Sequence, residues 1–584
     1  MKPVDLHTHS TRSDGTCTPS ELVNLAKEKG LAAFALTDHD NVNGIDEAMK
    51  AAQGTDIEVI PGIELSTKYG AKDVHIVGLY FNYTSPEFQE EVKRFSNARE
   101  IRNRKMCDNM CKAGLPIPYD ELVADNPGAV ITRANMAKFL LKKGAVSSIN
   151  EAFEKYIGDD CPFFIPRDKI TPQIAIEFIR RYDGIPVLAH PFQYNLGDAG
   201  LEKLIDELKS CGLMGIEAYY CTHTKEMTQK IQTLAKSYHL LLSGGSDFHG
   251  KNKPGLEMGT GYGNLFVPED CLTKIKHARF HITEQTKIFF CDFDGTLANE
   301  ERNISPETRA SLDAFVARGK TQESSSLDAS QQDSDPTHPS CQGNVFVLSS
   351  GRAMSDVKNL AKRLHLDYPN LFLSGYNGAE IYSCETKTTF FRETVPFDVV
   401  KEVMQLSREY GLYCQTYDED EIVVPEWGKE TDYYTSRVKM SVRVDPFVRI
   451  DPRRVLSKEP CKCLVIHLEN EEDHRILEFS RIIEEKFGGI VRTILSNPWY
   501  LEIDPVRATK GNALHWLCRH LGIEHSSSIA AGDAPNDNTM IKEAGVGIGM
   551  CNGLATNPQM AEIADFITEA DNNHDGLAPI LDKL

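Results

Sequence analysis

The sequence has little that would tie it to a membrane, an oxidising compartment or a polyanion. No uncharged apolar run approaches the roughly 18 residues a membrane helix needs, and Met1-Lys2-Pro3 does not open a secretory leader. Cysteine is thin. Fifteen in 584 residues form no dense framework, so they read as reduced thiols of a cytoplasmic protein. Cys461 and Cys463 share a strand face with no partner cluster and read as buried thiols. Positive charge is also short: 64 Lys and Arg stand against 85 Asp and Glu, a formal charge of -21. That balance argues against long nucleic acid or an anionic membrane as partner, and leaves small phosphorylated metabolites open. Internal repeats are lacking too, so the halves need separate readings. What remains is ordinary for a globular protein, 41% hydrophobic and 26% charged, but too long for one core.

The first half alternates strand-like apolar runs with amphipathic helical patterns, such as Pro19–Lys29 after the N-cap candidate Thr18. That alternation predicts a parallel sheet, closed into a barrel. Chemistry in such barrels sits where strands end. Val4-Asp-Leu6 runs into His7 and His9, whose spacing of two sends both imidazoles to one side. Asp14 follows on a loop that Gly15 lets turn. Further strand ends carry His39, Glu64, His190, Asp247 and His249. Nitrogen and carboxylate donors of this kind suit a borderline cation such as Zn, Mn or Fe. His75 stands apart, because it begins its apolar run instead of ending one. Residues 84–183 carry long helical patterns and read as a helical insertion over the barrel mouth. There Arg99 and Arg102 share a helix face at i, i+3, and arginine suits bidentate phosphate contact.

The set DLHTHS…SDG, LTDHD, GIELS, HIVGLY, LAHP, GIEAYY and SDFHG resembles the PHP (polymerase and histidinol phosphatase) family over residues 1–285. Within it the likeness is to small phosphoesterases acting on nucleoside 3',5'-bisphosphates and short RNA. The resemblance implies a distorted seven-stranded (β/α) barrel holding a cluster of two or three metals, Mn²⁺ or else Zn²⁺ or Fe²⁺. Its implied ligands are His7, His9, Asp14, His39, Glu64, His75, His190, Asp247 and His249. It also implies phosphate binding by Arg99 and Arg102. Asn135, in Arg133-Ala-Asn135, stands where the family has a histidine and is carried as a candidate substrate contact.

The second half opens on a buried-type strand, Lys287–Cys291, ending in Asp292-Phe-Asp-Gly-Thr296. Two carboxylates two residues apart at a strand end suit a nucleophile and an acid/base over a shared Mg²⁺. Ser349-Ser-Gly-Arg352 and Gly532-Asp-Ala-Pro-Asn-Asp537 close two more strands, and Lys510 starts a helix between them. A hydroxyl and an ammonium hold phosphate, and aspartates bind a hard cation. The order DFDGT, SSGR, K, GDAPND resembles the haloacid dehalogenase (HAD) superfamily over 287–584, in its Cof-like branch. That resemblance implies a Rossmann-like core with a large α/β cap at about 376–500. It assigns Asp292 as nucleophile, Asp294 as acid/base, and Ser350 and Lys510 to phosphate. Mg²⁺ falls to Asp292, Asp294, Asp533 and Asp537. Residues 320–341 are rich in Ser, Gln and Asp and read as a disordered loop. The short stretch 275–287 reads as the linker.

The expectation is a fused, two-site phosphatase, with small nucleotides or short RNA at the first site and a small phosphomonoester at the second. Two alternatives stay open: that one half is a regulatory or binding module, and that the first acts on a non-nucleotide phosphomonoester.

Overall fold

The protein was described from a computed structural model covering residues 2–127, 129–158, 161–165, 170–318, 343–438, 440–468 and 474–584. The stretch 320–341 therefore lies outside the described residues. The chain divides into two compact units between Phe280 and His281.

The first unit is built on β1 (Pro3–Thr8), β2 (Ala33–Leu36), β3 (Glu58–Tyr69), β4 (Lys72–Leu79), β5 (Ile185–Leu188), β6 (Gly215–Tyr220), β7 (Leu241–Gly245) and β8 (Val267–Pro268). They form one eight-stranded sheet in the order β7-β6-β5-β4-β3-β2-β1-β8, the last strand only a two-residue addition to the seven expected. The sheet curls until β1 meets the end of β7. The His9 N–H donates to the Phe248 carbonyl and the Asp247 N–H to the His7 carbonyl, each at 2.9 Å. Val4, Leu6, Ala35, Val187 and Leu241 fill the barrel interior. Outside it, the helix Pro19–Glu28 starts where expected. Thr18 Oγ accepts the Glu21 N–H at 3.2 Å, and the Glu21 carboxylate accepts the Thr18 N–H at 2.7 Å.

The sheet departs from the all-parallel expectation at β4, which runs antiparallel to β3 and β5, and at β8. The cause is local. Tyr69 pairs directly with Lys72, and Gly70 takes the left-handed φ of 58° that so short a turn requires. Reversal explains His75: the beginning of an antiparallel strand lies at the same edge as the ends of its parallel neighbours.

Between β4 and β5 come the helices Pro86–Lys112, Tyr119–Ala124, Arg133–Lys142 and Ile149–Ala152, then a π-helical turn, Phe153–Ile157. Met106, Met110, Leu122, Met136 and Leu140 give this segment a core of its own. The next helix, Pro172–Arg181, instead buries Ala175, Ile176 and Phe178 with Ile63 and Leu188 of the barrel wall. The stretch read as a linker is helical as far as Phe280, with Ile275 and Ala278 buried.

The second unit holds two sheets. The first has β9 (Ile288–Asp292), β10 (Val345–Ser349), β11 (Leu371–Gly375), β12 (Glu380–Ser383), β13 (Thr388–Arg392), β20 (Ser528–Gly532), β21 (Val546–Gly549) and β22 (Phe566–Ile567). Its order is β13-β12-β11-β10-β9-β20-β21-β22, parallel from β11 to β22. The second has β14 (Tyr413–Asp418), β15 (Glu421–Val424), β16 (Ser441–Val444), β17 (Cys463–Ile466), β18 (Val491–Asn497) and β19 (Tyr500–Pro505), ordered β16-β15-β14-β17-β19-β18. The hairpin β12–β13 bonds to the first sheet, so that sheet extends past residue 376. β9 lies between β10 and β20, and the ends of these three strands carry the motifs.

Candidate active sites

At the C-terminal edge of the first barrel the side chains from distant strands meet around Glu64, which is 1% exposed. One Glu64 oxygen lies 2.7 Å from His75 Nδ1 and 3.1 Å from His190 Nε2. The other lies 3.3 Å from His7 Nε2, 3.2 Å from His9 Nε2 and 3.1 Å from His39 Nδ1. Asp247 sits 3.3 Å from His9 Nε2 and from His249 Nδ1, and Asp14 sits 3.2 Å from His249 Nε2. The donors overlap in three groups: His9, Asp14, His39 and His249; His7, His9 and Glu64; His39, Glu64 and His75.

This donor set fits metal cations. The charge is lopsided: burial pushes Asp14 and Asp247 up, yet His249 and His39 hold Asp14, and Lys253 and His249 hold Asp247, well below the usual carboxylate range. Burial disfavours the cation of His9, but Asp247 and Glu64 outweigh it and carry its pKa up to about 9. His7 is raised likewise against burial, by Glu217 and Glu64. Carboxylates that drag protons onto two buried imidazoles are short of positive charge. His9 Nδ1 and His190 Nδ1 are buried without a hydrogen-bond partner. Mixed nitrogen and oxygen donors suit Mn, Zn or Fe.

Glu217 is the functional residue that sequence reasoning missed here. It accepts from His7 Nδ1 at 2.8 Å and from the His190 N–H at 2.7 Å. It therefore sets the tautomer of one candidate ligand and the backbone of another. Its signals were its place in the GIEAYY motif, to which no role was assigned, and a carboxylate inside the otherwise apolar run Gly215–Tyr220.

A cavity of about 200 Å³ opens beside the cluster, lined by Asp14, His39 and His75 and by Lys68, Arg99, Arg102 and Arg133. Both expected arginines are thus present, but Arg99 is buried and pairs with Asp40, also donating to Ser66 Oγ at 3.1 Å. Lys68 and Arg133 were not singled out as site residues. Asn135 is placed otherwise. Its Oδ1 accepts the Thr132 N–H at 2.7 Å, and its Nδ2 donates to Asn126 Oδ1 at 3.0 Å and the Ser13 carbonyl at 3.4 Å. It caps its own helix and does not line the cavity.

In the second unit Lys510 is fully buried, its Nζ 2.5 Å from Asp292 Oδ1 and 2.6 Å from Asp537 Oδ1. Burial works against the ammonium, but the two carboxylates outweigh it and raise its pKa. Burial, then Asp537, raises Asp292 well above its ordinary value, and the same two causes push Asp533 up to about 6. Asp292, Asp533 and Asp537 form one group of converging oxygens. Crowded carboxylates with raised pKa values fit a hard cation such as Mg²⁺. Gly295 makes the approach feasible: at its φ of +80°, a Cβ would stand 2.4 Å from Asp533 Oδ2.

Asp294, half exposed, accepts two parallel bonds from Arg352, Nε and Nη2, each at 2.9 Å. Ser350 is buried, its Oγ accepting the Arg352 N–H at 3.3 Å. The loop Ser349–Arg352 is braced by residues the motifs did not name. Lys462 Nζ donates to the Gly351 carbonyl at 3.0 Å and to Glu502 at 2.7 Å. Asn377, left-handed at φ 56°, donates its N–H to the Ser350 carbonyl at 3.2 Å. Its Nδ2 donates to Glu502 at 2.7 Å and Asp504 at 2.8 Å.

Residues 289–581 match the family model for haloacid dehalogenase-like hydrolase, and residues 5–122 match that for the PHP domain. The chain is 40% identical over 248 residues to the 5'-3' exoribonuclease of Haemophilus influenzae, covering 42% of this chain and 90% of that one. It is 33% identical over 261 residues to the 3',5'-nucleoside bisphosphate phosphatase of Chromobacterium violaceum, covering 44% and 91%. A Streptococcus pyogenes serotype M6 protein with a provisional phosphatase name is 28% identical over 299 residues, covering 51% and 97%.

Proposed function

Because the chain belongs to the PHP-domain proteins in its first half and to the haloacid dehalogenase-like hydrolases in its second, we propose that it carries two phosphatase sites that work separately. It is a hydrolase of phosphate esters in both units. The first takes a nucleoside 3',5'-bisphosphate or the 5'-phosphorylated end of a short RNA. His7, His9, Asp14, His39, Glu64, His75, His190, Asp247 and His249 hold its metals, with Mn²⁺ preferred. Such ions supply a nucleophile at neutral pH and neutralise the reacting phosphate. Lys68, Arg99 and Arg102 grip a second phosphate beyond the reacting one, as their place in the same cavity supports.

In the second unit Asp292 attacks phosphorus, and Asp294 protonates the departing oxygen. Asp294 then takes a proton from the water that hydrolyses the acyl phosphate, which releases inorganic phosphate and restores Asp292. Ser350 and Lys510 hold the phosphate oxygens. Asp292, the Asp294 carbonyl, Asp533 and Asp537 hold Mg²⁺, which supplies charge neutralisation. The substrate is a small phosphomonoester.

The observation that carries the reading is the convergence of metal-type donors from separate strands with cationic side chains around one cavity. Its test is phosphate release by the full-length protein, stripped of metal and resupplied with Mn²⁺ or Mg²⁺. His9→Ala should abolish release from adenosine 3',5'-bisphosphate and spare Mg²⁺-dependent release from phosphomonoesters; Asp292→Asn should do the reverse. Loss of both activities in either folded variant would overturn the separation of the sites.

A further inference from the structure

The cavity of the first unit has a lining that neither phosphate nor metal explains. Besides donors and cations it is lined by Phe153 and Phe164, both half-buried. They come from the part of the helical segment where the backbone leaves α geometry. The helix Ile149–Ala152 passes into the π-helical turn Phe153–Ile157, closed by the Gly158 N–H on the Phe153 carbonyl at 2.9 Å. Only glycine closes that turn, since a Cβ at Gly158 would stand 2.3 Å from the Phe153 carbonyl oxygen. Single π turns are uncommon and concentrate at functional sites.

The two rings are not equivalent. Phe153 also packs on the segment's own apolar cluster, as Ile149, Tyr156 and Phe163 do, whereas Phe164 is not among the residues packed there. What Phe164 has instead is Arg133, whose guanidinium lies 5.1 Å from the ring centroid. Arg133 also donates to the Ile157 carbonyl at 3.2 Å, which ties it to the π turn. A flat ring backed by a fixed guanidinium, in a cavity that already holds metal-type donors and phosphate-type cations, has the makings of a stacking surface. Stacking on an aromatic face tolerates every base.

We propose that Phe164, backed by Arg133, is the platform on which the substrate's nucleobase stacks, so that the first unit selects a nucleotide over a bisphosphorylated sugar without selecting among bases. This rests on the nucleoside bisphosphate reading above.

The test compares the full-length protein with Phe164→Ala on adenosine 3',5'-bisphosphate and on base-free ribose 3,5-bisphosphate. Removing a stacking ring should raise KM for the nucleotide about ten-fold or more, leave kcat near wild type and leave KM for the base-free sugar unchanged. Phe164→Leu keeps an apolar side chain without a π face and should behave as Phe164→Ala, which covers misfolding of the smaller variant. Phe164→Trp should restore wild-type KM. An equal shift on both substrates, or none on the nucleotide, overturns the platform. Wild-type protein with the same KM for both compounds also overturns it, while leaving the bisphosphate reading standing. Wild-type protein inert to both refutes the two together.

Discussion

Replacing Glu217 by Gln is the sharpest perturbation of the first site, because it changes one atom and leaves shape alone. Both Glu217 oxygens accept: one from His7 Nδ1 at 2.8 Å, the other from the His190 backbone N–H at 2.7 Å. A glutamine has one acceptor and must turn its amide N–H₂ toward the other donor. The His190 N–H cannot adapt, so the change falls on His7. Its proton has to move from Nδ1 to Nε2, where it covers the lone pair that faces His9 Nε2 at 3.1 Å and Glu64 at 3.3 Å. His7 would then be satisfied by hydrogen bonds but lost as a ligand. Loss of such a supporting carboxylate costs ten- to a hundred-fold in metal affinity, about 1.4–2.7 kcal/mol. The assay is a Mn²⁺ titration of nucleoside bisphosphate hydrolysis after metal removal. The half-saturating concentration should rise by that factor, with activity recovered at high Mn²⁺. An unchanged titration would refute the tautomer reasoning. Activity that excess metal fails to restore would show that Glu217 acts on something other than ligand geometry.

Other outcomes follow from the same geometry. Arg102→Ala should weaken binding of a nucleoside bisphosphate ten- to a hundred-fold, the loss of one charge-assisted contact of about 1.5–3 kcal/mol, and weaken a monophosphate less; equal losses in KM would make Arg102 a structural residue. Arg352→Lys removes one of two parallel bonds to Asp294 and should lower kcat of the second unit about ten-fold at unchanged KM, and a normal kcat would show that Asp294 needs no clamp. Asp504 is fully buried, and burial, partly offset by Lys462, pushes it up to about 6. An unfolded carboxyl titrates near 3.9, so this stabilisation is complete below about pH 4 and lost as the pH rises through 6. The second unit should melt several degrees lower at pH 8 than at pH 5. Lys462→Met, which takes away the cation beside Glu502 and Asp504, should steepen the slope; a flat melting profile in calorimetry would contradict this.

Much of both sites is legible in the sequence where a motif coincides with a strand end. His7, His9, His190 and Asp292 stand there because parallel strands present their ends to one edge, and a spacing of two keeps a pair on one face. Glu64, expected at a strand end, lies inside β3, which continues past its last pair with β2 at Pro61. His75 fits the same edge for a reason its own surroundings hide, the hairpin reversal at Gly70. The supporting residues are less legible. Glu217 looks like a polar interruption in an apolar run until His7, far away in sequence, is folded against it. Arg99 is visible as a cation on a helix, but its pairing with Asp40 depends on how that helix crosses the barrel. Glu502 and Asp504 belong to β19 and Lys462 directly precedes β17, in stretches whose patterns carry no phosphate chemistry; only packing brings Lys462 and, through Asn377, the two acids to the loop at Ser350. Phe164 lies in irregular backbone, where periodicity carries no signal.

The reversal at Gly70 also governs which lengths this region can acquire over evolution. His75 reaches Glu64 because it lies opposite Ser66 in the β3–β4 ladder, two residues along on the same face. Adding one residue between Gly70 and His75 while the tight turn was kept would slip β4 by one position against β3, sending the imidazole to the far face and bringing Val74 opposite Ser66. Adding two would preserve the face. Length changes in this hairpin should therefore survive selection in even steps, so that the parity of the turn, independent of its composition, becomes a heritable mark of a working first site.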